Sequence, residues 1–258
     1  MNGVTLITCT GGRPESLARC AKYVARFENP DGINVQWLVV DDYIDYEVPI
    51  RTSSTYDLTF MCPRDVVWKQ GMNTLASNLL VAIECVKYDA VMFIEDDDFY
   101  RADYMREQLM HLRNADIAGE NPTRYYHVPS SQWCEMRSLF HASLCQTAMR
   151  STHLHILQDA CREAYDMIDV RLWAKTSHLR QTRSSVQHVV GMKGLPGRPG
   201  IGVGHKPDAN IGWKPDIGCE KLREWLGDDA DLYVGPKYAP EAARNRAQPR
   251  QDASERRT

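Results

Sequence analysis

The chain contains no apolar run approaching the roughly 20 residues that a membrane-spanning helix needs. Its start, Met1-Asn2-Gly3-Val4, lacks the basic region and long apolar region of a secretory signal. A soluble protein of the cytoplasm is therefore expected. Paired cysteines are missing too. The eight cysteines (Cys9, Cys20, Cys62, Cys85, Cys134, Cys145, Cys161 and Cys219) are scattered singly, with no C-x-x-C pair. That excludes the usual zinc-ribbon frameworks and reads as reduced thiols acting as small buried hydrophobes. A third absence is local: from Val170 to Pro207 there is no Asp or Glu, although Arg171, Lys175, Arg180, Arg183, Lys193, Arg198 and Lys206 all fall there. A stretch of one sign suits a polyanion, whether a nucleotide diphosphate or a nucleic-acid backbone.

What is present is ordinary for a globular enzyme-sized chain. Its 258 residues are 43% hydrophobic and 25% charged, enough to build one large core and too apolar for general disorder. Val4 to Cys9 reads as a short strand. A turn, Thr10-Gly11-Gly12-Arg13-Pro14, leads from it into a helix whose face carries Leu17, Cys20, Ala21, Val24 and Phe27. Val35 to Val40 reads as a second strand, ending in Asp41-Asp42. Buried strands joined by a helix imply a parallel βαβ unit, with a ligand crevice at the C-terminal strand ends. Leu58 to Met61 suits a short strand, Met72 to Tyr88 a helix, Ala90 to Ile94 a central strand and Ala102 to Arg113 another helix. Tyr125–Val128 and Leu144–Met149 suggest strands of a mixed extension, followed by helices over His153–Tyr165 and Asp169–Thr176. Gly191 to Gly204 holds six glycines and two prolines and reads as an ordered or ligand-gated loop, while residues 239–258 read as a disordered tail.

The strongest chemical signal is Glu95-Asp96-Asp97-Asp98, directly after the central apolar strand. Adjacent carboxylates at a buried strand end repel one another, and a divalent cation with oxygen preference relieves the conflict. Asp41-Asp42 offers carboxylates to a base or ribose at the same crevice. Gly200-Ile201-Gly202-Val203-Gly204-His205-Lys206 offers glycines that could cradle phosphate, with His205 as a further ligand.

Together these residues resemble glycosyltransferases of the GT-A fold, especially the family 2 type. The resemblance runs from Val4 to Asp98 and, more thinly, to Lys206. It implies an α/β, Rossmann-like nucleotide-sugar-binding domain with a mixed central sheet flanked by helices. A single catalytic domain would span 1–238, with a nucleotide-binding half at 1–100 and an acceptor half at 101–238. It also implies a nucleotide site built from Thr8, Thr10, Arg13, Asp41, Asp42, Lys69, Asn73, Asp96, Asp97 and Lys206. The acidic cluster resembles a D-x-D motif binding Mn²⁺ or Mg²⁺, with Asp96, Asp97, Asp98 and His205 as metal candidates and two registers open, Glu95-x-Asp97 and Asp96-x-Asp98. Tyr165-Asp166-Met167-Ile168-Asp169-Val170-Arg171-Leu172-Trp173 is similar to the segment carrying the general base, which makes Asp169 the candidate and Asp166 the reserve.

The expected reaction is inverting transfer of a sugar from a nucleoside-diphosphate sugar, a uridine nucleotide by the resemblance, to an acceptor hydroxyl. The acceptor is a saccharide or a hydroxymethylated base in DNA, the latter suggested by the basic stretch with Tyr125, Tyr126, Trp133 and Trp173. Two alternatives stand beside it: a nucleotidyltransferase of the same fold, and a non-catalytic nucleic-acid-binding protein.

Overall fold

Alternate side chains of the first strand pack into opposite cores in the computed structural model, which describes residues 1–43, 56–63, 68–163, 166–200, 202–205 and 212–235. In β1 (Gly3–Thr10), Val4 and Leu6 pack into one core and Ile7 into another, on the opposite face. β2 (Asn34–Asp41) repeats the division, with Trp37 and Val39 on the first side and Leu38 and Val40 on the second. A sheet apolar on both faces must be covered on both. Helix α1 (Pro14–Ala25) covers the first face through Leu17, Cys20 and Val24, and its start is set by proline in the first turn. α2 (Leu75–Ile83) covers the second through Ala76, Leu79 and Ala82.

β3 (Asp57–Met61) pairs parallel to β2, and β4 (Ala90–Phe93) pairs parallel to β1 on its other side. The remaining members of this seven-stranded sheet are β6 (Ile117–Glu120), β9 (Ala148–Arg150) and β10 (Gln181–Ser184). The order is β10-β6-β9-β4-β1-β2-β3, with β9 antiparallel to both neighbours. A second sheet has the order β12-β8-β7-β11-β5. Its strands are β5 (Phe99–Tyr100), β7 (Thr123–His127), β8 (Gln132–Met136), β11 (Val189–Lys193) and β12 (Lys214–Pro215). The other helices are α3 (Tyr104–Leu112), α4 (Leu154–Glu163), α5 (Ile168–Lys175) and α6 (Glu220–Leu226). The expected mixed sheet flanked by helices is thus present, accompanied by a second mixed sheet.

Two local expectations need correction. Leu144–Met149 is not one strand: Leu144–Gln146 forms a 3₁₀ turn, and only Ala148–Arg150 pairs as β9. The glycine-rich loop also begins later than Gly191, because Gly191 lies inside β11 opposite Tyr125. A Cβ there would come within 2.4 Å of the Tyr125 ring, so glycine lets the two strands approach. The tail at 239–258 lies outside the described residues.

Gly119 in β6 faces the same demand. A Cβ would meet Ala142 Cβ at 2.5 Å and Trp173 Cζ2 at 2.8 Å. Gly119→Ala is expected to cost about 1–3 kcal/mol through overpacking. Urea denaturation of the two chains measures this, and an unchanged midpoint would show that α5 yields without cost.

Candidate active site

β1, β2 and β4 run parallel, so their C-terminal ends present Thr10, Asp41 and the acidic segment along one edge. Beyond β4, Ile94 N still donates to Ile7 O at 2.8 Å, and the chain then turns, with Asp98 N donating to Glu95 O at 3.4 Å. A cavity of about 690 Å³ opens at this edge. Thr10, Arg13, Glu95, Asp96, Asp97, Asp169, Lys193, Arg198 and His205 line it.

The four carboxylates of the turn have different environments. Asp96 accepts from Thr10 Oγ1 at 2.6 Å and from Arg13 Nη2 at 2.5 Å, while Asp97 accepts from Arg13 Nη1 at 2.8 Å. Asp98 is turned away from the cavity and accepts from Met192 N at 3.0 Å and Lys193 Nζ at 3.1 Å; its Oδ2 has no hydrogen-bond partner. Glu95 keeps 31% of its side chain exposed, with Lys193 Nζ 3.9 Å away. Burial, then the charge of Asp98, push Glu95 up to about 8, and burial pushes Asp96 up to about 6 against the pull of Arg13. Asp97 goes the other way. Burial opposes its charge, but Arg13, Lys193 and His205 together hold it below the ordinary carboxylate range. Burial and nearby Lys193 push His205 down to about 4, leaving it neutral at pH 7. Four carboxylates therefore face two permanent cations, Arg13 and Lys193, an excess of acid that protons or a divalent ion must balance.

The metal candidates named from sequence are only partly brought together. Asp96 and Asp97 share Arg13, and Asp98 lies behind them. Among the described residues, the ligand atoms that converge within 4.8 Å belong to Glu95, Asp98 and Cys145. Glu95 and Asp97 both line the cavity, whereas Asp98 does not.

At the end of β2, Asp41 is fully buried, and its Oδ1 accepts from Tyr43 N at 2.9 Å. Asp42 accepts from Asn78 Nδ2 at 3.0 Å and from Arg198 Nη2 at 3.1 Å, and Arg198 also donates to Thr74 Oγ1. Neither aspartate lines the cavity; Arg198, stacked 4.9 Å over the Trp68 ring, does. Although burial opposes the charge, hydrogen bonds from Arg198, Thr74 and Asn78 lower the Asp42 pKa. A depressed carboxylate contributes stability above its unfolded pKa and loses it as pH falls through the folded value. Arg198→Ala is therefore expected to cost about 1–3 kcal/mol at neutral pH and to flatten the acid side of the stability profile. Thermal melts from pH 3 to 7 check this, and parallel profiles would sink it.

Other nucleotide-site expectations fare unevenly. Thr10, Arg13 and Asn73 line the cavity, but Thr8 is fully buried and accepts from Trp37 Nε1 at 2.9 Å, a core role. Lys69 is exposed and outside the lining. Lys206 lies outside the described residues.

Asp169 stands in the first turn of α5, half-buried, and lines the cavity; Asp166 is exposed and does not. Burial raises the Asp169 pKa, while the Val170 amide, donating to Oδ1 at 2.9 Å, and nearby His141 oppose the rise. Of the aromatic residues considered for a displaced base, only Tyr125 lines the cavity. Tyr126 and Trp173 are buried in the cores, and Trp133 packs edge-on against Trp225.

Four of the seven basic residues of the acid-free stretch pair with acids outside it. Lys175 pairs with Glu163, Arg180 with Asp116, Lys193 with Asp98 and Arg198 with Asp42, while Arg183 donates to the Ser138 and Leu139 carbonyls. Lys193 is the site residue that sequence reading placed only loosely. It ends an apolar strand, sits 5.4 Å over the Tyr125 ring and faces three carboxylates, which hold it protonated against burial. A lysine closing a run such as Val-Val-Gly-Met was the available signal.

No family model matches the chain, and no curated protein matches it in sequence. Among solved structures it is similar in fold to S. aureus TarS, with TM-score 0.53 and 14% identity over 73% of this chain and 36% of that one. It is similar to TarS 1–349 in complex with UDP-GlcNAc, with TM-score 0.53 and 13% identity over 76% of this chain and 60% of the other. For TarS 1–349 with UDP the values are 0.52 and 12%, over 73% and 60%. The shared feature is the mixed α/β fold, and the chain spans less than two thirds of each of these neighbours.

Proposed function

We propose that this chain is a metal-dependent, inverting glycosyltransferase that moves a sugar from a uridine-diphosphate sugar to an acceptor hydroxyl. The observation that carries the reading is one cavity lined both by the acidic turn with Arg13 and Lys193 and by Asp169, a carboxylate from a different element. TarS, which shares the fold, was solved with UDP-GlcNAc and with UDP.

Departure of a nucleoside diphosphate builds negative charge. Arg13 and Lys193, already fixed by carboxylates, would meet that charge without reorganising. Arg198 would add a third cation from the glycine-rich side. The donor set fits a divalent ion through its carboxylate oxygens and its excess negative charge, with the Cys145 thiol beside Glu95 and Asp98. Glu95 and Asp98, whose ligand atoms converge, would hold Mn²⁺ or Mg²⁺, with Asp96 and Asp97 occupied by Arg13. Bound there, the ion would supply Lewis-acid stabilisation of the departing diphosphate. Asp169 would take the proton of the acceptor hydroxyl, and its raised pKa improves it as a base. A single base that activates the incoming hydroxyl corresponds to inversion. The internal pairing of the basic stretch favours a nucleotide ligand over a nucleic-acid backbone.

Saturating UDP with Mn²⁺, at 100 times the dissociation constant, is expected to raise the melting temperature by about 5–10 °C. Product analysis on the stabilising nucleotide sugar should give the free nucleoside diphosphate. Release of pyrophosphate would establish a nucleotidyltransferase instead, and no stabilisation by any nucleotide would remove the donor reading.

A further inference from the structure

The wall that carries Asp169 differs in kind from the wall that carries the acidic turn. Leu139 and Phe140 are 77% and 78% exposed, Met167 55%, Met72 43% and Val170 38%, and all five line the cavity. Large apolar groups left in water and converging on one recess mark a binding surface.

The polar groups among them are already committed to one another. Tyr125 Oη lies 2.9 Å from Ser143 Oγ, Ser143 Oγ lies 3.1 Å from Thr123 Oγ1, and Thr123 donates to Gln146 Oε1 at 2.6 Å. Gln146 is held in turn by buried Glu120, which also accepts from His188. Ser138 Oγ and His141 Nδ1 pair at 2.6 Å. Apart from Arg137, exposed at the rim, and the Asp169 carboxylate, the described side chains of this wall have few unspent partners for a polyhydroxylated acceptor. Hydroxyls desolvated without partners are costly, whereas an apolar body is not.

We infer that the acceptor carries its hydroxyl on a compact apolar body, an aromatic or alicyclic alcohol, seated on Leu139, Phe140, Met167 and Val170 beside Asp169. The inference rests on the glycosyltransferase reading. Size supports a small molecule, because a cavity of about 690 Å³ must take the donor sugar and the acceptor together.

The test uses the full chain saturated with UDP and Mn²⁺ and titrated with the fluorescent alcohol 2-naphthalenemethanol. Glucose, a short duplex bearing hydroxymethylcytosine, and phosphatidylcholine vesicles form parallel arms. The naphthyl alcohol is expected to bind, and the double variant L139S/F140S to weaken it about tenfold or more. Both positions are largely exposed, so the variant should melt with the wild type, and UDP titration of the variant reports the donor half separately. Equal binding of the alcohol by wild type and variant overturns the inference. So does preferential binding of glucose or the duplex, and vesicle binding lost in the variant would assign the patch to a membrane surface. UDP that binds while the alcohol does not removes the acceptor inference alone; UDP that fails to bind removes both readings.

Discussion

Asp97→Asn is expected to lower turnover about 10²–10³-fold while leaving the fold intact. Asp97 lines the cavity and carries its charge because Arg13 is 2.8 Å away. The amide keeps the shape but removes the charge that holds Arg13 and any cation in register. Arg13 retains Asp96, so the substitution leaves no buried guanidinium alone. Asp98→Asn should behave differently. Asp98 is buried behind the turn and supplies the close carboxylate for buried Lys193, so its loss should lower the melting temperature as well as the rate. Steady-state turnover on the stabilising nucleotide sugar, with melts of both variants, separates the cases. A near-normal rate for Asp97→Asn would move the diphosphate site elsewhere.

Asp169→Asn should lose about 10²–10⁴-fold in turnover, the usual contribution of a general base, with UDP affinity retained. Asp166→Asn, at an exposed position outside the cavity, should stay near wild type. The pH profile gives a second readout. Burial raises the Asp169 pKa, so turnover should rise with pH through a limb above the ordinary carboxylate value of about 3.9. The sign for stability is opposite to that of Asp42. A carboxylate with a raised folded pKa favours the folded state below its unfolded pKa, and that advantage fades as pH rises through the folded value. Asp169→Asn should therefore be no less stable than the wild type near pH 7. A wild-type rate in this variant would leave the acceptor proton without an acceptor at α5.

The parallel core strands were readable because their residues are apolar on both faces, which gives the uninterrupted runs Trp37–Val40 and Ala90–Ile94. The acidic turn was readable for the complementary reason, since charge at such a strand end is costly without a purpose. β11 was hidden by composition: Gly191 belongs to a strand because Tyr125 occupies the space of its side chain. Thr8 and Thr10 alternate along β1, yet only Thr10 reaches the cavity. Thr8 is spent on the Trp37 indole, a partner that depends on sheet order rather than local sequence. The basic stretch was only partly legible. Four of its charges are answered by Asp42, Asp98, Asp116 and Glu163, all outside the stretch, so a local count could not see the compensation.

The acidic turn is also the first of the covalent crossings between the two sheets, leaving β4 in one and entering β5 in the other. Phe99 and Tyr100 are fixed immediately afterwards by pairing with Val190 and Val189. An added or deleted residue that displaced this pairing by one position would reverse which side of the second sheet Phe99 and Tyr100 face. Length, as much as charge, is under constraint here, and variation among proteins built this way should appear as exchanges of side chain at constant spacing.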